Sequence, residues 1–202
     1  CAIGLTRAIV AQEAQQFDPV VRTYLEDTTL AIAHVDLSKV NAPVTADWLN
    51  EQWGGAAAGQ VATAKVIGAT VVRSLVDAGL THVYATVSTM DLAQGGVVLF
   101  LPCRDVEPVQ LLVEAAIAQT PKQLNYKVFA AEGLLVVAQP NSWSRIASKP
   151  NAGRESLLSA VQAGMPHAAT IAFNLPERLQ QEIAEIWPAK APDEWSLQLS
   201  PK

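Results

Sequence analysis

Three histidines are the residues of this chain whose type most readily suggests a metal site. His34, His82 and His167 each fall at or inside a predicted strand, and none has a second histidine four residues away on a helix. A metal site needs several such side chains to converge, usually together with a carboxylate. We therefore expect singly placed, hydrogen-bonded histidines, and we expect neither a metal site nor a cofactor.

The internal cysteine could act as a nucleophile. Cys103 stands at the end of a predicted strand and precedes Arg104, whose positive charge would favour a thiolate. A nucleophile also needs a base within hydrogen-bond reach, and His82 is the nearest candidate along the sequence. The alternative is a partly buried, inert thiol, and we favour that interpretation.

A group of carboxylates near a predicted hairpin could work as an acid and a base. Asp91, Asp105 and Glu107 would face one another across the hairpin end. Turn and helix-capping roles explain Asp91 and Asp105 equally well. The alternative to a protein without catalytic residues is therefore a hydrolase-like enzyme. Its noncontiguous site would lie near Asp91, Cys103 and His82.

Aromatic residues suggest a binding surface instead. Five tryptophans are many beside three tyrosines and four phenylalanines. Trp48 and Trp53 lie on a short predicted helix next to Gly54 and Gly55, where exposed rings could form a binding face for a protein or envelope partner. The alternative is ordinary core packing of one ring with partial exposure of the other.

Composition and charge exclude several classes of function. The 202 residues are 50% apolar and 16% charged, which is enough apolar material for a buried core. The net charge is −5, and lysine and arginine form no cluster, which argues against a nucleic-acid partner. No apolar run reaches the roughly 18 to 20 residues of a membrane-spanning helix, so we expect no transmembrane segment.

The N-terminal residues indicate export. Residues 1–14 are mostly small and apolar and end in alanines before polar glutamines, which is typical of the end of a signal peptide. This predicts an extracytoplasmic protein of the periplasm or cell envelope. Two alternatives remain: a lipid anchor on Cys1, and an N-terminal helix that packs on the domain.

The clearest structural pattern lies between residues 81 and 119. Val83, Ala85 and Val87 alternate with polar or aromatic residues, and residues 97–101 form an unbroken apolar run after a glycine pair, so the two segments predict a hairpin. A helix should follow and pack on this hairpin through one apolar stripe. The stripe consists of Val106, Val109, Leu112, Val113, Ala116 and Ile117.

The order of predicted elements favours an α+β fold. We expect a mainly antiparallel sheet with helices on one face, in which residues 15–140 form a ferredoxin-like βαββαβ unit. Residues 141–202 predict a second, incomplete α+β unit that packs on the first and continues beyond the C-terminal end of the sequence.

A resemblance to a protein family depends on two runs of residues and on strands that end in DL. The runs are VYATVSTMDLAQGGVVLFLPCRDVEPVQLLVEAAI and YKVFAAEGLLVVAQP. The chain resembles an uncharacterised bacterial family of exported proteins of unknown function that are built from such α+β units. The resemblance implies a fold and a location but no catalytic residues. We expect a non-enzymatic binding or structural module of the bacterial cell envelope, with an enzyme or a carrier of a small apolar ligand as alternatives.

Overall fold

The computed structural model describes eight parts of the chain, which are residues 19–41, 44, 69–92, 96–118, 125–131, 133–148, 155–174 and, for the backbone only, 195–199. The short predicted helix that carries Trp48 and Trp53 lies outside the described residues.

The described residues include seven strands and six helices, besides connecting segments and the helical residue Val44. The strands are β1 (Thr29–Asp36), β2 (His82–Ser88), β3 (Val98–Pro102), β4 (Lys127–Ala131), β5 (Leu134–Ala138), β6 (Ala169–Phe173) and β7 (Trp195–Leu199). The helices are α1 (Pro19–Arg22), α2 (residues 69–77), α3 (Thr89–Leu92), α4 (Val106–Ile117), α5 (Pro140–Ala147) and α6 (Glu155–Gly164). None of the helices in these parts of the chain is long and apolar enough to cross a membrane.

All seven strands join one sheet in the order β4-β5-β3-β2-β1-β6-β7. Strands β1 to β6 pair with one another in antiparallel fashion, and β7 pairs with β6 in parallel at the edge of the sheet. The α+β class with a mainly antiparallel sheet is thus confirmed. Residues 141–202 contribute β6 and β7, which extend the same sheet beyond β1.

The ferredoxin-like unit is not confirmed. In that arrangement the two strands joined through the first helix are parallel and leave room for another strand between them. Here β1 and β2 are direct antiparallel neighbours, with Ala33 opposite Ala85 and His34 opposite Tyr84. The order of elements along the chain is compatible with both topologies, because it does not determine which strands pair.

Helices cover both faces of the sheet, so the expectation of helices on one face is wrong. On what we call the Phe100 face, Phe100 and Val136 pack with Val21 of α1 and Ile146 of α5. On the opposite side, the Leu101 face, sheet residues pack with helix residues such as Val109 of α4. The physical reason is visible in β5, where all five residues are buried. A strand that is apolar throughout needs cover on both sides.

Local signals in the sequence agree with the chain's turns. Gly79 follows α2 with a φ of +89°, and Gly133 joins β4 to β5 with a φ of +67°. Both conformations are easy for glycine and unfavourable for other residues. Helix α4 begins at Val106 as predicted, but Asp105 makes no capping hydrogen bond with its side chain.

Candidate functional site

An apolar cavity lies between the Leu101 face of the sheet and helices α2 and α4. Its volume is about 430 Å³, which falls within the range of about 300 to 1,000 Å³ that is usual for small-molecule sites. The cavity is therefore large enough to hold a small molecule.

The sheet supplies an aliphatic floor. Val83 of β2, Leu99 and Leu101 of β3 and Val137 of β5 all point to the same side, because side chains alternate along each strand. In register, Leu99 lies opposite Val137 on the neighbouring strand. Val83 and Leu99 remain only half-buried although both lie in the interior of the sheet. Their remaining exposed surface faces the cavity.

The two helices supply the walls. From α4, Leu112, Val113, Ala116 and Ile117 line the cavity, and these are four of the six residues in the predicted apolar stripe. They follow the spacing of one helical face. From α2, Val71 and Leu75 contribute the same type of surface one turn apart. The stripe was readable in the sequence, but the space beneath it was not.

One lining residue has a polar side chain. Tyr126, just before β4, lines the cavity together with twelve aliphatic residues. Its hydroxyl oxygen accepts a hydrogen bond from the backbone amide of Val97, with 3.0 Å between the two heavy atoms. Of the described lining residues, a ligand in this cavity would therefore meet almost nothing but hydrocarbon and a single hydroxyl group.

The candidate histidines are not all singly placed. His34 Nε2 and His82 Nδ1 lie 3.1 Å apart in a hydrogen bond, so that expectation is wrong for this pair. His34 is fully buried, and its Nδ1 has no hydrogen-bond partner among the residues that the structure describes. Burial, followed by the proximity of His82, lowers the pKa of His34 from 6.5 to about 4. The pair therefore lies on the Phe100 face, with His34 buried and His82 partly exposed.

Asp36 lies next to the histidine pair, at the end of β1 and opposite His82. Its carboxylate accepts hydrogen bonds from the backbone and hydroxyl of Ser38 and forms an ion pair of 3.0 Å with Lys39. Burial alone would raise the pKa of the Asp36 carboxyl, but the bonds from Ser38 and Lys39 outweigh it and the pKa is lowered. Within the described residues no group of three or more potential ligands could hold a metal ion.

Asp91 belongs to a second buried polar network. Ser88 and Ser142 donate hydroxyl hydrogen bonds of 2.7 Å to its carboxylate. The guanidinium of Arg145 donates to Asp91 and also to Glu26, at 3.0 Å and 2.7 Å. Burial would raise the pKa of Asp91, yet the hydrogen bonds from Ser88, Ser142 and Arg145 lower it. A carboxylate held in this way acts as a structural acceptor instead of a base.

Cys103 packs on the opposite side of the sheet from the histidine pair. It belongs to the apolar cluster of the Leu101 face, next to Leu101 and Leu135. Burial raises the pKa of its thiol, with a further contribution from the charge of Asp105. This is the reverse of the activation that a nucleophile needs.

The structure does not bring His82, Cys103 and Asp91 together. His82 is the first residue of β2, and Asp91 lies in α3, just beyond the other end of that strand. At about 3.3 Å per residue, the two ends of a seven-residue strand are about 20 Å apart. Cys103 is in addition on the other face. These side chains therefore do not form a single site.

The other predicted site residues lie outside the described residues. These are Trp48 and Trp53, for which we predicted a binding face, and Cys1, for which we considered a lipid anchor. Both remain predictions.

The chain has no significant match among protein-family models, curated proteins or solved structures. The resemblance to a family of exported bacterial proteins therefore stays a prediction, and the argument for function depends on the residues described above.

Proposed function

We propose that this protein is a non-enzymatic binding protein for a small apolar molecule, which occupies the cavity between the Leu101 face, α2 and α4. The observation that carries the proposal is the lining, in which twelve of the thirteen described residues are aliphatic. An apolar molecule is driven into such a site by removal of its own surface from water.

The chemistry of the lining argues for binding and against catalysis at this place. Among the described lining residues Tyr126 is the only one whose side chain could exchange a proton, and none of the others is an acid or a base. General acid–base and nucleophilic catalysis both need at least two positioned groups. An extracytoplasmic, cell-envelope location is part of the proposal and is supported by the apolar residues 1–14.

The proposal can be tested with an apolar fluorescent probe and two matched variants. N-phenylnaphthylamine should bind with saturation and one molecule per chain. Ala116→Phe should abolish or strongly weaken this binding, because Ala116 lines the cavity and a phenyl ring would occupy it. Ala115→Phe places the same ring on an exposed neighbouring position of α4 that does not line the cavity, and it should bind as the wild type does.

Chain length gives a second measurement. Each buried methylene contributes about 0.8 kcal/mol. In a series of straight-chain alcohols that displace the probe, affinity should therefore rise about fourfold per methylene until the cavity is full. Circular dichroism should show that Ala116→Phe and Ala115→Phe are both folded. Equal probe binding by these two variants would contradict the proposal, as would alcohol affinities that do not depend on chain length.

A further inference from the structure

We propose that strand β4 is an interaction surface for a second copy of this chain, which adds its own β4 in antiparallel fashion and continues the sheet. β4 stands at one end of the strand order, and among the described residues it pairs only with β5. The unpaired side of such an edge strand offers backbone N–H and C=O groups to another strand. The proposal is separate from the ligand cavity, because none of the described lining residues belongs to β4.

The hydrogen bonds of β5 show which of its backbone groups point toward β4. The amide of Cys103 donates to the carbonyl of Gly133, so the backbone of Gly133 faces β3 and that of the next residue, Leu134, faces β4. Leu134 lies opposite Pro102 in β3, where proline has no N–H to donate, which agrees with this assignment. On the other side Leu134 lies opposite Ala131. Leu134 and Ala131 therefore form a hydrogen-bonded pair.

Inward-facing and outward-facing backbone groups alternate along β4. Because Ala131 faces β5, Phe129, two residues before it, faces β5 as well. The backbone groups of Val128 and Ala130 then face away from the sheet. Neither residue has a backbone partner on that side within the part of the chain that the structure describes. Each presents one N–H and one C=O to an approaching strand.

β4 lacks the features that usually keep an edge strand from pairing. Natural edges often carry several charges, a proline or a bulge. β4 consists of Lys127 and four apolar residues, and its pairing with β5 runs without a shift in register. Phe129 stacks on Trp143 of α5, with 5.1 Å between the ring centroids, and is only half-buried. Part of an aromatic ring is therefore accessible beside the open edge.

A second β4 complements this edge when a twofold axis passes between the two copies of Phe129. Val128 of one copy then lies opposite Ala130 of the other, and the two exchange both of their outward hydrogen bonds. The two phenyl rings meet in a non-hydrogen-bonded pair, in which side chains are closest and aromatic rings stabilise the pairing. Lys127 lies opposite Ala131 of the other copy, so the two lysines do not face each other. The strand is thus complementary to itself, as a closed twofold dimer requires.

Sedimentation velocity of the full chain, with a thiol reductant that prevents disulfide-linked dimers, measures the association. A single strand edge buries less than the roughly 800 Å² per partner of a standard interface, so we expect a weak dimer that forms between about 10 µM and 1 mM. Ala130→Pro should abolish it, because it removes an outward N–H and leaves the inward ones, and edge strands tolerate proline there. Ala130→Thr, at the same exposed position, keeps the N–H and should dimerise at least as well as the wild type.

A charge variant tests the register even if the proline variant does not fold by circular dichroism. Ala130→Lys brings two like charges about 7 to 8 Å apart across the axis, so it should weaken the dimer at low salt and less so at high salt. A wild type that stays monomeric up to about 1 mM would overturn the proposal. So would equal dimerisation of folded Ala130→Pro and Ala130→Thr, or a dimer that is insensitive to Ala130→Lys at low salt.

Discussion

The free energy of unfolding of this protein should fall as the pH is lowered from 6.5 to 4. Replacement of His34 by glutamine should abolish most of that fall. In the unfolded chain His34 binds a proton with an ordinary pKa of 6.5, whereas burial and the proximity of His82 lower its pKa in the folded protein to about 4. Between these values the unfolded state binds more protons than the folded state. The free energy of unfolding must therefore fall as the pH falls through this window.

The magnitude follows from the two pKa values. At about 1.4 kcal/mol per pH unit, the difference between 6.5 and about 4 corresponds to about 3 kcal/mol of stability that is present above pH 6.5 and lost by pH 4. The charged groups that act on His34 are His82 and Lys39, which oppose its protonation, and Asp36, which favours it. The lowered pKa values of Asp36 and Asp91 act in the same direction, but below about pH 4.

The assay is urea unfolding, followed by circular dichroism at pH values from 7 to 4. His34→Gln keeps an amide group near the position of Nε2, so that the contact with His82 can persist, but it cannot take up a proton. Its unfolding free energy should change far less with pH than that of the wild type. His167→Gln, at a partly buried position outside this pair, should retain the wild-type slope. Equal slopes in His34→Gln and the wild type would refute the argument.

Two further predictions concern the buried groups. Arg145→Met should lower the free energy of unfolding by about 3 to 5 kcal/mol, because it leaves Asp91 and Glu26 buried without their cation. Arg22→Met, which removes an exposed ion pair with Glu155, should cost no more than about 1 kcal/mol in the same urea experiment. Equal losses in the two variants would contradict the structural role of Arg145. The thiol of Cys103, buried and with a raised pKa, should resist maleimide labelling at pH 7 until the protein unfolds. Comparison with Cys103→Ala isolates its signal, and rapid labelling of the native thiol would be inconsistent with the packing described.

The elements of the fold were readable in the sequence because their signals are local. The predicted hairpin forms, with Tyr84 opposite Phe100, and α4 carries its stripe toward the sheet. The faces of the sheet were harder to assign. In β2 the face that carries Tyr84, Thr86 and Ser88 is the more deeply buried, although two of these residues are polar. Helices on that face shield these residues from water. The alternation of residues within β2 does not indicate that helices cover this face.

The candidate sites depended on contacts between distant residues. His34 and His82 are 48 positions apart and become neighbours only through the antiparallel register of β1 and β2, which places them diagonally. Arg145 reaches Asp91 across 54 positions. Spacing along the chain therefore suggested a group formed by His82, Cys103 and Asp91 that the fold separates. A carrier of a small apolar ligand could be named only as an alternative, because an apolar stripe looks the same whether the space below it is filled or empty.

The Arg145 network also has a consequence for the folding kinetics. Its three charged members come from the connection before β1, from helix α3 and from helix α5, and Arg145 and Glu26 are separated by 119 positions. Contacts of such long range involve a large loss of chain entropy and tend to form late. We therefore expect the network to form only after the sheet has assembled, in which case Arg145→Met should speed unfolding more than it slows refolding.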